Sequence, residues 1–300
     1  MMPQRAAQQT GLSLIELMVA ITLGTLLMLG VVQIFLSSKS TYSSNKALSA
    51  IQESGRFAID LLSRDIRNTG YKGQCLNVPT NHINNGAGSP WSLHDEPIRG
   101  WEDEAPDFIS GEPAADSHVL FVQFAAGGTD VSGVVGNSAS HNTIGLGSEL
   151  NVPLSVGDTA LISNGLGCDL FENTSALESV LEKTGGGNWS YDYTGEFEVL
   201  TLQSVAYYVA ADEHGVSTLY RSRVKPDLTG EIKEALVPGV TSLIIEYGMA
   251  TAGVVNNYVA ASAVTSWADV AAVKLALEVE AGSGLKREFS TIIGLRNRLP

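Results

Sequence analysis

The feature that most constrains this chain is an apolar run from Leu12 to Leu36, LSLIELMVAITLGTLLMLGVVQIFL, in which Glu16 is the only charged residue. A helix rises about 1.5 Å per residue, so roughly 20 such residues cross a hydrocarbon core about 30 Å thick. The run therefore predicts a transmembrane helix. A carboxylate inside such a helix costs on the order of 2.5 kcal/mol or more on insertion scales, which makes Glu16 a candidate functional residue. The alternative interpretation is an interfacial glutamate near the end of the helix.

The segment before the run, MMPQRAAQQTG, carries only Arg5 as a charged residue and ends in Gly11. A secretory signal has the reverse order, with a shorter apolar core followed by small residues at the cleavage site. The residues GLSLIELMVA, from Gly11 to Ala20, closely resemble the class III signal of type IV prepilins and pseudopilins. In that family a membrane peptidase cuts after the glycine and methylates the new amino terminus. The resemblance implies cleavage between Gly11 and Leu12, and N-methylation of Leu12.

Cleavage at this position gives Leu12 a cationic α-amino group about one helical turn from the Glu16 carboxylate. The resemblance implies that Glu16 pairs with the amino terminus of a neighbouring subunit during assembly, and a contact within one chain is the alternative. A buried ion pair of this kind is better evidence for a fixed register between neighbouring helices than for added stability. A register that leaves either charge without its partner costs several kcal/mol.

The helix is predicted to continue beyond the apolar run. Apolar or small residues recur every three or four positions, which predicts one stripe of an amphipathic helix. The stripe consists of Leu48, Ile51, Gly55, Ala58, Leu62 and Ile66. Gly70 suits the left-handed position just past a helix end, so we predict one helix from about Leu12 to about Asn68. The mixed charges from Arg56 to Arg67 are predicted to form a solvated face, or alternatively to face neighbouring subunits.

From Tyr71 to about Ser117 the helical period is lost and Asn, Gly, Pro and acidic residues dominate, which predicts a long loop. Eight acidic residues fall between His94 and Asp116, against the single base Arg99. Hard cations take several oxygen ligands, so calcium binding by this acidic segment is one hypothesis and a solvated surface loop is the other. The five histidines are scattered without metal-ligand spacing and are interpreted as surface or loop residues, so no metal site is predicted.

After this loop, short apolar or alternating runs are bounded by Gly, Asn, Asp and Pro, which predicts strands. Their predicted positions are His118 to Ala125, Thr159 to Ser163, Glu196 to Ala210, Ser217 to Val224, Val240 to Tyr247, Val270 to Glu280 and Glu288 to Arg296. Asp212 to Gly215 is predicted as a hairpin turn, and Gly127 to Asn151 and Thr184 to Asn188 as Gly-rich connections. A helix followed by strands predicts an α+β fold, with the long amino-terminal helix packed on a mostly antiparallel sheet. The resemblance to prepilins implies that this fold is of the type IV pilin kind.

Four segments carry a second resemblance: the helix end GRFAIDLLSRDIRNTGY from Gly55 to Tyr71, the segment from Cys168 to Phe171, the segment from Leu236 to Val240, and the ending from Phe289 to Arg298. These segments resemble minor pilins of the PilW type. The resemblance covers nearly the whole chain. It implies a protein that joins other minor pilins to prime type IV pilus assembly, with capping of the pilus, adhesion and twitching motility as associated roles. The implied partners are the prepilin peptidase, other minor pilins, the major pilin and a pilus-tip adhesin.

The cleavage site, the apolar run, the amphipathic stripe and the predicted strands together give four segments: a leader peptide (1–11), a transmembrane half of the helix (12–36), an amphipathic half (37–70) and a β-rich globular domain (71–300). The resemblance to prepilins places the protein in the inner membrane with a single pass and the globular domain in the periplasm. The resemblance also implies that the processed protein is incorporated into the pilus after assembly.

Other functions are weighed against this interpretation. A formal net charge of −14 argues against nucleic acid as a partner. The sequence contains no nucleophile elbow, zinc-protease motif or phosphate loop, so no enzyme activity, catalytic residue or cofactor is predicted. The alternatives are a minor pseudopilin of a type II secretion system and a membrane-anchored periplasmic binding module. We expect the eleven residues before the span to be too few for a cytoplasmic signalling domain, which counts against the module.

The chain has two cysteines, Cys75 and Cys168. The bacterial periplasm is oxidising, and an even number of cysteines in a domain outside the cytoplasm favours pairing. We therefore predict a disulfide that joins the irregular segment after the helix to the strands beyond it, at an apparent turn before Leu170. The alternative is two separate buried thiols.

Overall fold

The computed structural model describes residues 13–83, 96–102, 105–110, 112–115, 117–133, 141–185, 187–224, 231–281 and 284–297. The chain divides into two compact units, residues 1–50 and residues 51–300.

A single helix, α1, runs from Leu14 to Asn68 and contributes to both units. At its start, the Ser13 Oγ accepts a hydrogen bond from the Glu16 N–H at 3.3 Å, as an N-cap side chain does. Among the described residues, α1 is the one helix long and apolar enough to cross a membrane. The predicted single long helix and its end at Asn68 are confirmed.

The second unit begins within α1, and here the predicted stripe faces the core. Ile51, Gly55, Ala58, Leu62 and Ile66 are all buried. After the helix, Gly70 takes the left-handed conformation with φ +76°. Its N–H donates to the Gln123 carbonyl at 2.9 Å, which joins the helix end to the first sheet.

The rest of the second unit is built from fourteen strands within the described residues. Their bounds are β1 Thr80–Asn81, β2 Ile98–Trp101, β3 Val119–Ser132, β4 Thr143–Gly145, β5 Thr159–Ser163, β6 Cys168–Glu172, β7 Val180–Glu182, β8 Glu196–Ala211, β9 Ser217–Val224, β10 Glu231–Pro238, β11 Val240–Thr251, β12 Val254–Val259, β13 Val270–Ala281 and β14 Leu285–Gly294.

The first sheet is organised around β8, the longest strand. One side of β8 pairs with β3 along almost its whole length, in antiparallel register. The other side pairs with β5 in its first half and with β9 in its second half. The outer strands are β2 next to β3, β10 next to β9, and β6 next to β5, with the two-residue β1 parallel to β6.

A second sheet has the antiparallel order β12-β11-β13-β14, and β4 and β7 form a separate small ribbon. The main hydrophobic core joins the stripe of α1 to residues from both larger sheets, including Leu120, Tyr207, Leu243 and Leu275. The fold is therefore α+β with mostly antiparallel sheets, as predicted.

Several strand predictions are confirmed at their bounds, notably β5 and β9, and the hairpin turn at Asp212 lies between β8 and β9. In that turn the Asp212 carboxylate accepts the N–H groups of His214 and Val216, both at 2.8 Å. These hydrogen bonds hold the pKa of the exposed Asp212 carboxyl below its usual value.

Other predictions are wrong. The predicted loop from Tyr71 to Ser117 contains β1 and β2, and the predicted connection from Gly127 to Asn151 contains the end of β3 and all of β4. The strands β6, β7, β10 and β12 were not predicted. β4 and β7 have three residues each, too few to show a period of two. β10 and β12 are edge strands whose residues are mostly exposed or half-buried, so they lack the alternation of buried apolar and exposed polar residues that marks a half-buried strand.

Candidate functional sites on the helix and its domain

Glu16 lies in the first turn of α1, with its side chain exposed in the first unit. Gly11 and Leu12, the predicted cleavage and methylation residues, lie outside the described residues. The pairing of Glu16 with a neighbouring amino terminus therefore stays a prediction.

Cys75 and Cys168 form a disulfide, with their Cα atoms 5.6 Å apart and a sequence separation of 93. Both cysteines are buried, at 1% and 0% exposure. The predicted pairing is confirmed. The predicted turn at Cys168 is wrong, because Cys168 is the first residue of β6 and already belongs to the sheet.

The segment after Cys75 runs along β6, the strand to which the disulfide joins it. Thr80 and Asn81 pair in parallel with Asp169 and Leu170. The His82 N–H then donates to the Leu170 carbonyl at 2.8 Å. The disulfide, this short ladder and the His82 side chain together fasten residues 75–82 to β6, which would otherwise be an open edge.

Asp169 is fully buried beneath this segment and accepts several hydrogen bonds. Its carboxylate lies 2.8 Å from His82 Nε2, 2.8 Å from the Tyr193 hydroxyl and 3.1 Å from the Ser190 N–H. Burial raises the pKa of the Asp169 carboxyl, but the hydrogen bonds from His82, Ser190 and Tyr193 outweigh burial and leave the pKa lowered. Burial and the neighbouring carboxylate raise the pKa of Tyr193.

Ser190, His82 and Asp169 are the residue types of a hydrolase triad, but their geometry differs from one. The Ser190 Oγ lies 3.2 Å from His82 Nε2, the same nitrogen that contacts Asp169. A triad needs the serine and the aspartate on different ring nitrogens, so that the histidine can take a proton from one while the other orients it. His82 and Ser190 therefore supply hydrogen bonds to the buried Asp169 carboxylate.

A second buried carboxylate, Asp65, links α1 to the first sheet. Its Oδ2 accepts from the Tyr207 hydroxyl at 2.7 Å and from Arg221 Nε and Nη2, both at 3.3 Å. Burial alone would lower the pKa of Arg221, but Tyr207 and Asp65 outweigh burial and raise it. Burial, followed by the Asp65 charge, raises the pKa of Tyr207.

The prediction of a solvated charged face is therefore wrong for Asp65. The signal was present in the sequence, because Asp65 lies seven residues after Ala58 and three after Leu62, on the buried stripe. The other charged residues from Arg56 to Arg67 are exposed, and none of them lies within ion-pair distance of any described residue.

The acidic segment between His94 and Asp116 is described only in part. Within the described part, Glu96 pairs with Arg99 at 3.4 Å, and Glu102 accepts from the Ser262 hydroxyl at 3.0 Å. The described residues contain no group of three or more His, Cys, Asp or Glu that could hold a metal ion.

Two parts of the chain are similar to known protein families. Residues 7–32 match the family described as the prokaryotic N-terminal methylation motif, so the amino terminus, which begins the one long apolar helix among the described residues, is similar to that of prepilin-like proteins. Residues 206–291 match the family described as type IV pilus-assembly protein W. Together these matches support a type IV pilus minor pilin of the PilW type. Neither a curated protein nor a solved structure matches the chain.

The PilW match runs from β8 to β14 and therefore includes Tyr207 and Arg221, the two residues that hold Asp65. The pilin family suggests a structural protein rather than an enzyme, and it implies contact with other pilins and with the prepilin peptidase.

Proposed function

We propose that this protein is an inner-membrane prepilin whose processed form joins other minor pilins in a complex that primes type IV pilus assembly and caps the fibre. The observation that carries the proposal is the signal GLSLIELMVA at the start of an apolar helix that leads into a PilW-type β domain. Residues 1–11 are the leader, 12–36 the transmembrane half of the helix, 37–70 its amphipathic half and 71–300 the periplasmic domain.

In this proposal the prepilin peptidase cuts between Gly11 and Leu12 and methylates Leu12. The new α-amino group and the Glu16 carboxylate of an adjacent subunit then neutralise each other in the membrane. Because a charge in the hydrocarbon core is costly without a partner, this pairing favours one register of each helix against its neighbour. The resulting complex supports pilus-dependent adhesion and twitching motility through the pilus and a tip adhesin.

A minor pseudopilin of a type II secretion system would share the amino-terminal signal. The match at residues 206–291 to type IV pilus-assembly protein W favours the pilus over the secretion system. A membrane-anchored binding module would keep its leader, so the mass of the amino-terminal peptide in native membranes distinguishes it from the proposed pilin.

We expect Glu16→Ala to lower the number of pili by about tenfold or more, since losing the partner of a buried charge costs several kcal/mol and 1.4 kcal/mol is tenfold. The leader should still be cut and the domain should stay folded, because neither depends on this carboxylate. Pilus counts by electron microscopy measure the effect, and mass spectrometry of the mature amino terminus measures cleavage.

Glu53→Ala is the matched control, since it removes an exposed carboxylate from the same helix outside the apolar run. Piliation with this variant should equal that of the wild type. Normal piliation with Glu16→Ala, together with co-purification of the other minor pilins, would show that Glu16 has no role in assembly.

A further inference from the structure

A groove of about 590 Å³ lies between the carboxy-terminal part of α1 and the strand β14. Its walls include Arg56, Phe57 and Arg67 of the helix and Phe289, Ser290 and Thr291 of the strand. We propose that this groove, named here the α1–β14 groove, binds an extended acidic segment of a partner protein, which adds a strand to β14. The proposal is independent of the priming role.

The strand side of the groove is an open sheet edge. β14 pairs with β13 without a register shift from Leu285 to Gly294, and no described strand pairs with its other side. Successive residues of a strand point to opposite faces, so a groove that touches Phe289, Ser290 and Thr291 follows the edge of the strand. Unpaired N–H and C=O groups along such an edge are a template for a further strand.

The helix side of the groove is positively charged. Arg56 and Arg67 are exposed, and neither lies within ion-pair distance of a described acidic residue. Among the described residues that line the groove, Asp60 is the only acidic one. Arg287 adds a third guanidinium on the strand, 5.7 Å from the centre of the Phe289 ring. Arg56 and Arg67 line the same groove in a chain whose formal net charge is −14, so charge complementarity favours an acidic partner.

The groove also offers apolar surface. Phe289 packs against Gly55, where the helix has no side chain, and Ile59 is half-buried beside it. Phe57 is 52% exposed on the helix wall. An added strand turns every second side chain toward the groove. Carboxylates at alternate positions on that face would bind the guanidinium groups in a bidentate manner, and an apolar side chain on the same face would pack on the rings.

Site-specific photo-crosslinking of the full chain in its native membranes tests the proposal. A photoreactive residue at the exposed Ser290 should link to a partner protein at least about tenfold more than one at Asn256, on the opposite edge strand β12, because only β14 borders the basic groove. The linked partner peptide should carry at least two carboxylates at alternate positions.

Charge reversal makes the test specific. Arg56→Glu with Arg67→Glu should lower the adduct by about tenfold, because like charges then face each other. Arg64→Glu is the matched control, an exposed arginine of the same helix that does not line the groove, and it should leave the adduct within about twofold. Replacing the two partner carboxylates by arginine should restore the adduct with the doubly reversed chain.

Four outcomes would overturn the proposal: equal adducts at Ser290 and Asn256, a linked peptide without carboxylates, adducts only with lipid or a second copy of this chain, or equal losses with Arg64→Glu and the double reversal. Cleavage of the leader and pilus number are not part of this readout. Failure of the groove and failure of the priming role are therefore separable.

Discussion

Asp65→Ala should destabilise the folded domain by about 3 kcal/mol, because removing one partner of a buried ion pair leaves the other charge uncompensated. The variant leaves the Arg221 guanidinium and the Tyr207 hydroxyl without their shared acceptor. We expect the lower end of the range for broken buried pairs, since the Arg221 side chain is 21% exposed and keeps some contact with water. Denaturant unfolding of the full chain in detergent, followed by tryptophan fluorescence, measures the loss.

Asp60→Ala is the control for this effect. Asp60 lies on the exposed face of the same helix, so its removal should change the free energy of unfolding by no more than about 0.5 kcal/mol. The double variant Asp65→Leu, Arg221→Leu should recover part of the loss, because an apolar pair often replaces a buried ion pair at little cost. If Asp65→Ala and Asp60→Ala unfold at the same denaturant concentration, the network does not join the helix to the sheet.

Cys168→Ser should destabilise the domain by about 2 to 5 kcal/mol, the usual cost of removing a native disulfide from a small secreted domain. The bond closes a loop with a sequence separation of 93, which restricts the unfolded chain. Loss of the bond also frees one end of residues 75–82, so β6 becomes an exposed edge. The abundance of the protein in membranes should fall through proteolysis, and cleavage of the leader should not change.

Cys75→Ser is the matched variant, and it should give the same loss, because either substitution removes the same bond. Alkylation of the denatured, unreduced wild type should label no cysteine, while reduction before alkylation should expose both. Two labelled cysteines in the unreduced chain would contradict the disulfide.

The elements that could be predicted from the sequence are those with a local signal. The helix α1 has a continuous apolar run, a buried stripe spaced by three and four residues, and Gly70 in the left-handed conformation after its end. β5 and β9 have apolar or alternating residues between clear turn residues. With only two cysteines in the chain, a single pairing was possible once the domain was placed in an oxidising compartment.

The candidate sites depend on contacts between distant residues, and only the tertiary structure decided them. Asp65 meets Arg221 across 156 positions and His82 meets Asp169 across 87, so no local pattern reports either pair. Polar residues on a helix or in a loop have the same local pattern whether they face water or a buried partner. The pairing of the strands determines whether such a residue is buried against a partner or exposed.

The α1–β14 groove also depends partly on features that the sequence determines and partly on the tertiary structure. The sequence alone determined that Arg56 and Arg67 are exposed on a helix, because its period of 3.6 residues places them off the apolar stripe. It did not determine that β14 is the last strand of its sheet, since strand order is a choice among long-range pairings that a strand's own residues do not encode. The local periods determined the helix and several strands, whereas the packing of the helix against an open sheet edge decided where a partner could bind.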